Sequence, residues 1–579
     1  MPAHAEPPAG RRRRSRRVAV ASLVVAGFGL LAAGCSGTDT TNATDSTAGT
    51  TPVGGGQANQ VITTPPNEKP IVGGKITYGL EADSDGFNPV VNRWAIAGVM
   101  VGLAVYDPLA AYNDKSEAKP YLAESFTPNK DYTVWDIKLR SGIKFSNGTP
   151  LTAAGVKKVY DGHLTSPLTK PVFSPVKSIE VKDDLTVTFT MSSPWVVFPS
   201  TLTAQTGVIP EPSSIDDKAG QNPIGTGPFI QTEYQNGNKW VGKKNPGYWR
   251  KDKDGVQLPY LDSLEFRPII ERTTRTAALK SGELQMMHAS DSDSVKLLRD
   301  EAKSGNFQVV EDTGEGEEGM IILNSSKPPF DDTDARRALA YATDTKTYAD
   351  IVNGNVLEVA NSVFRTNSQW YSAAKNYPEF DVAKATELVN KYKASHGGAA
   401  PKFTFGVSGD TAKESQFLQA GWQSAGFEVD IKQYEQAAFI GDAVLGNYQA
   451  NLWRQFGAPD PDADYLWWTS ANAGKGDGTP ELTLNIARHK SPCVDAALKD
   501  GREKPDLADR KKAYAALQQC QADEVPYVWL DHSLWVVGAS AKVRGITNGP
   551  LPDGSASLPI GGAGDFGGVT RLTQTWLAA

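Results

Sequence analysis

Apolar and polar side chains alternate in KITYGLEA (75–82), YTVWDIKLR (132–140) and LTVTFTM (185–191), which predicts strands with a two-residue period. A three-to-four-residue period takes over in TRTAALKSG (274–282), ARRALAYATD (335–344) and DVAKATELVNKYKASHG (381–397), the last with a glycine stop, and predicts helices. KESQFLQAGWQSAGFEVDIKQY (413–434) reads as a helix, a glycine turn and a strand. Strands and helices thus alternate in the second half, the pattern of α/β units. No repeat of 20 to 50 residues is visible, which disfavours a solenoid or a propeller.

The N-terminus breaks this pattern. RRRRSRR (11–17) precedes an uncharged apolar run, residues 18–33, too short for a membrane span and suited to a signal sequence. The run ends LLAAGCSG, small residues followed by Cys35, the arrangement of a lipoprotein cleavage site. Ala32 stands where leucine is usual, and Ser15-Arg16-Arg17 leaves export by the general or the twin-arginine route open. Residues 1–34 are therefore read as a signal peptide and Cys35 as the lipidated residue. Residues 35–72 are rich in Ser, Thr, Gly and Asn, cannot offset chain entropy by burial, and are read as a flexible tether. The expected location is the outer face of the cell membrane.

The 579-residue chain is too long for one core. Without the first 34 residues it carries 53 basic and 65 acidic side chains, a net charge of −12 that argues against a nucleic-acid partner. Of three cysteines, Cys35 is assigned to the lipid. Cys493 and Cys520 bound a segment that reads as two helices around Pro505-Asp506, whose far ends would meet, so a disulfide is expected in an oxidising compartment. The six histidines are scattered, no HExxH or GxSxG is present, and neither a metal site nor a cofactor is expected. The GxGxxG match at 562–567 lies too near the C-terminus for a βαβ unit and is read as loop. DPDAD (460–464) lacks the glycine and the bidentate glutamate of a calcium loop.

Five segments together carry a resemblance: LAESFTPNKDYTVWDIKLRSGIKFSNGTPLTAAGV (122–156), NPIGTGPF (222–229), KKNPGYW (243–249), ALKSGELQ (278–285) and LNSSKPPFDDTDARRALAYATD (323–344). In this order, behind a lipoprotein signal, they resemble family 5 of the extracellular solute-binding proteins, which serves dipeptide, oligopeptide and nickel ABC transporters. Gly155 and Gln285 depart from the family, which has Asp at both. The turns at Asn147-Gly148 and at Gly225 and Gly227 read as scaffold.

The resemblance implies an α/β, two-lobed type II periplasmic-binding-protein fold with an extra inserted domain. Its parts are expected at 73–100, 206–315 and 531–579 (first lobe), 101–205 (inserted domain) and 316–530 (second lobe). It further implies a monomer without catalysis that takes a peptide or other small solute into the interlobe cleft and passes it to permease subunits. Alternatives are a non-peptide solute (nickel chelate, haem or glycan fragment) or a regulatory lipoprotein. The aromatic stretch WRQFGAPDPDADYLWW (453–468) falls where relatives line the cleft. Peptide-binding members place an Asp three residues before the Asp-Pro pair to meet the solute ammonium; here that position is Gly457. The expected lining is Trp453, Arg454, Gln455, Phe456 and Asp460, with Arg454 suited to a carboxylate. Glu81, Asp85 and Trp94 are expected at the entrance, and Glu81 or Asp85 could replace the missing acid. Trp467 and Trp468 are expected in the core.

Overall fold

The computed structural model describes residues 60–61 and 68–579, apart from 313, 315–316, 410, 478 and 564–566. The signal peptide, Cys35, most of the tether and the centre of the glycine motif lie outside the described residues. No described helix is long and apolar enough to cross a membrane.

An eight-stranded sheet runs in the order Gln60–Val61, Phe307–Asp312, Trp535–Ser540, Met286–Ala289, Lys75–Leu80, Ser263–Pro268, Lys239–Lys244, Phe229–Gln235. Its central strand, Lys75–Leu80, is parallel to both neighbours, and every residue after Lys75 is buried. That strand is covered on both faces, as parallel strands require. The Ile96–Val105 helix, all ten residues buried, contributes to the core on one side. The Arg272–Ser281 and Ser292–Lys303 helices bury Leu279 and Leu298 in a separate cluster.

A six-stranded sheet forms the second lobe, in the order Glu358–Val359, Tyr527–His532, Glu318–Leu323, Ala450–Gln455, Lys402–Ser408, Glu428–Tyr434. The last two are parallel and joined by the Ala412–Ser424 helix and a turn at Gly426, whose φ of +99° favours glycine. Trp422 on that helix is fully buried against Phe403 and Phe405 and donates its indole N–H to Thr343. The chain crosses between the large sheets twice, from Asp312 to Glu318 and from His532 to Trp535.

A third sheet, Ala123–Pro128, Val134–Leu139, Thr186–Met191, Val176–Asp183, packs with the Ala153–Thr165 helix around Trp135, Tyr160, Phe189 and Trp195. The boundaries differ from those read in the sequence. The Ile96–Val105 helix belongs to the first core, so the inserted domain begins after it, and Ile209 and Ile215 extend the small core beyond residue 205. The Tyr527–His532 strand pairs wholly within the second lobe, so that lobe runs to His532 and not to 530.

Two local departures have physical causes. Gly225 and Gly227 do not have positive φ; a Cβ on either would lie within 2.5 Å of the Val105 carbonyl oxygen, so close backbone approach is what requires glycine. At Gly155 a Cβ would meet Pro212 at 2.9 Å. Gln285 accepts from the Thr77 amide through its carbonyl oxygen and donates to Gly282 O, a pairing an aspartate could not make.

Candidate functional site

Parallel strands in open sheets collect ligands outside their carboxyl ends. In the first lobe those ends are Leu80, Pro268 and Ala289; in the second they are Ser408, Tyr434 and Gln455. Arg454, one residue before the end of its strand, brings the two sets together. Its Nη1 donates to Ser290 Oγ at 2.9 Å, Nε lies 3.1 Å from Glu317 Oε2, and Nη2 lies 3.5 Å from Glu81 Oε1. Its guanidinium stands 5.0 Å from the Trp535 ring centroid. Ser290 and Glu81 each directly follow a first-lobe strand, and Glu317 sits on a crossing segment.

Neighbours hold this group in place. Trp535 donates its indole N–H to Glu317 at 3.0 Å. The Glu81 amide donates to His288 Nε2 at 3.1 Å, and the His288 ring packs against Tyr78 and Trp535. Burial holds His288 and His532 near a pKa of about 3, so both are neutral. Burial pushes the Glu81 carboxyl up; Arg454 pulls it back, and Glu317 and Asp291 push it up again. Arg454 is raised although burial alone would lower it, because Glu317, Glu81 and Asp531 favour its charge. Two carboxyl groups thus share one guanidinium, burial favouring the neutral form of Glu81 and Arg454 its charged form. Each guanidinium nitrogen already faces a protein oxygen. In this arrangement the three Arg454 nitrogens are engaged by Ser290, Glu317 and Glu81.

The other predicted residues divide. Trp453 and Gln455 are partly buried and bonded to each other, Nε1 to Oε1 at 2.8 Å, with the Trp453 ring 5.2 Å from that of Phe439. Phe456 is not a lining residue: it is 1% exposed and packs on Trp468, Tyr527 and Trp529 because a φ of +74° turns its side chain into the core. Trp468 is core as expected, while Trp467 is only partly buried. Trp94 is likewise core, bonded to Gly86 O and lying over Gly98 and Gly102; a Cβ on Gly102 would be 2.6 Å from its ring. Asp85 is half-exposed and accepts from the amide of Arg93.

Asp460 is buried in a bidentate pair with Arg510, at 2.6 and 2.9 Å, and caps the amide of Asp462, so it is scaffold and not lining. Asp462 pairs with Arg502, and Asp464 faces the Gly457 amide at 3.4 Å. These arginines explain the acid-rich DPDAD run without calcium. Among the described residues no group of three or more His, Cys, Asp or Glu is placed to hold a metal ion. Gly457 has φ +100°, where an aspartate would be strained. The structure joins Cys493 to Cys520, linking the Pro492–Glu503 and Leu507–Glu524 helices. Sequence reading missed Ser290, Glu317 and Trp535; their available signal was position, beside strand ends and on the crossings.

Comparison with known proteins agrees with the two-lobed fold. The chain is 25% identical over 447 residues to the glutathione-binding protein GsiB of Escherichia coli O6:K15:H31, covering 74% of this chain and 83% of GsiB. Its fold is similar to that of the ABC transporter-associated periplasmic binding protein DppA from Helicobacter pylori in complex with the peptide STSA. The TM-score is 0.74 at 23% identity, over 88% of this chain and 99% of DppA. NikZ from Campylobacter jejuni in complex with Ni(L-His) gives 0.69 at 21% identity, over 85% and 97%. Residues 117–477 match the model of the bacterial extracellular solute-binding proteins, family 5 Middle, more than half the chain, and the protein belongs to that family.

Proposed function

We propose that this chain is the lipid-anchored receptor of an ABC importer, capturing a peptide between its two large sheets and passing it to the permease. The observation that carries the reading is the Glu81–Arg454–Glu317 group where the carboxyl ends of both sheets meet, with two carboxyl groups facing one guanidinium. An ammonium on the solute would find there the partner that Gly457 does not supply, and a hydrogen bond to a charged group contributes about 1.5–3 kcal/mol. Trp453 and Gln455 supply a polar-aromatic wall on the second lobe. No step of covalent chemistry is assigned; the energy for transport comes from a separate ATPase.

A second reading, a solute without an α-ammonium, is favoured by the positive φ at Gly457, which keeps an acid from that position. Native mass spectrometry of protein purified without denaturant identifies the solute directly. Calorimetry with glutathione, the peptide STSA and Ni(L-His) then separates the readings. Micromolar or tighter binding of a free-amine peptide, abolished by N-acetylation, supports the first. Binding that ignores acetylation overturns it.

Anchoring at Cys35 is read from the sequence alone. Cys35→Ala should move the protein out of the membrane fraction, and a variant still carrying a lipid-sized mass would contradict the assignment.

A further inference from the structure

Far from Arg454 in the sequence, the inserted domain touches the second lobe through a buried polar contact. Trp195 belongs to the core of the four-stranded domain and is fully buried, yet its indole N–H donates to Asp462 Oδ2 of the second lobe at 2.6 Å. The next residue, Val196, donates its amide to the carbonyl oxygen of Arg502 at 3.1 Å. The Arg502 guanidinium lies 4.7 Å from the Trp195 ring centroid and 3.6 Å from that of Tyr465. It binds Asp462 through Nε at 2.7 Å and Nη2 at 3.2 Å.

The two halves belong to bodies that must move apart if the lobes open. The inserted domain is fastened to the first lobe: Ser166 Oγ donates to Val90 O at 2.6 Å, and Asn88 Nδ2 donates to Ile215 O at 2.9 Å. The second lobe is joined to the first by two crossing segments, about which lobes of this kind turn. Rotation there displaces Asp462 and Arg502 from Trp195 and Val196.

The second-lobe half is built to survive that separation. Asp462 keeps its Arg502 partner, Arg502 rides on a helix pinned by the Cys493–Cys520 disulfide, and the adjacent Asp460 is held by Arg510. Opening therefore forfeits one hydrogen bond to a charged group, one backbone bond and a cation–ring contact, while no buried charge is left without its partner. A contact of that size can break and re-form within a binding cycle.

We propose that Trp195, Val196, Asp462 and Arg502 form a clasp that closes the inserted domain onto the second lobe during solute capture. The clasp sets solute residence time without touching the solute. This rests on the receptor reading above, and its test has arms that need no solute.

Trp195→Phe removes the indole N–H and part of the ring volume; Asp462→Asn, which leaves the Trp195 ring in place, is the second variant and separates loss of the contact from loss of packing. In protein as purified, the Val196 amide should exchange about tenfold faster in Trp195→Phe, the loss of one charge-assisted bond. Amides of the Thr186–Met191 strand should be unchanged, and small-angle scattering should give a larger radius of gyration. With whichever of glutathione, STSA or Ni(L-His) binds the wild type, the dissociation rate should rise about tenfold at an unchanged association rate. Unchanged exchange at Val196 overturns the proposal. So does faster exchange there with a wild-type scattering profile, which makes the contact local packing, and so does equal acceleration in the Thr186–Met191 strand, which makes it general destabilisation. Failure of all three probes to bind would count against the receptor reading and leave the exchange and scattering arms to decide the clasp.

Discussion

Three second-lobe arginines face carboxyl groups and differ in kind. Arg510 with Asp460 and Arg502 with Asp462 are closed: their side chains are at most 10% exposed and their shortest contacts are 2.6 and 2.7 Å. Arg454 is open: its side chain is 39% exposed, its contacts with Glu317 and Glu81 are 3.1 and 3.5 Å, and it shares two carboxylates. The closed pairs are satisfied within the protein, Asp462 accepting from Trp195 as well as from Arg502. The open group sets two carboxyl groups against one guanidinium and reaches solvent. Burial and stoichiometry separate them.

The sharpest way to break the comparison is to remove a closed partner. Arg510→Ala leaves Asp460 buried and unpaired and should destabilise by about 3–5 kcal/mol. Denaturant unfolding would show this as a lower midpoint, and a loss below about 1 kcal/mol would mean the pair is not structural. Next in size is the disulfide. With Cys493 and Cys520 separated by 27 residues, reduction should cost about 3 kcal/mol on the chain-entropy model, read as a lower Tm in reductant.

Buried carboxyls near the crossings should give a pH signature of opposite sign to ordinary ion pairs. Burial pushes Asp312 and Asp531 up to about 6. The native state then holds protons that the unfolded chain releases near pH 4, so stability from these groups is greatest at low pH and falls as pH rises from about 4 to 6. Asp531→Asn mimics the protonated form. Its stability relative to wild type should increase across that window, and a pH-independent difference would contradict the assignment.

The smallest stability effect should come from the open group. Arg454→Gln should change stability by no more than about 1 kcal/mol, since partly exposed pairs contribute little. It should nevertheless alter solute affinity, because it changes the charge where the sheets meet. Equal effects of Arg454→Gln and Arg510→Ala on unfolding would erase the distinction.

Much of the scaffold was legible because local periods report local structure. The strand at 75–80, the helix–turn–strand at 413–434 and the helix pair closed by Cys493 and Cys520 depend on residues near one another in sequence. Of the candidate site, the sequence pointed to Glu81, Trp453, Arg454 and Gln455, which stand at strand ends where family resemblance places the cleft. Phe456 was misplaced because a single positive φ reverses its direction, which no composition reveals. Trp94 read as polar-flanked, but glycines four and eight residues later make room for its ring in the core. Asp460 read as lining because its partner, Arg510, is 50 residues away. Glu317 and Ser290 acquire meaning only when two sheets meet.

The carboxyl groups beside Arg454 are proposed to hold the cationic end of the solute. Titration calorimetry of the co-purified solute, once identified by mass, into wild type and Glu81→Gln tests it most directly. The predicted result is an affinity loss of about tenfold or more, with an unchanged melting temperature and a further loss when Glu317→Gln is added. Equal affinity for wild type and both variants, with the fold intact, would contradict the claim and place the solute elsewhere between the lobes.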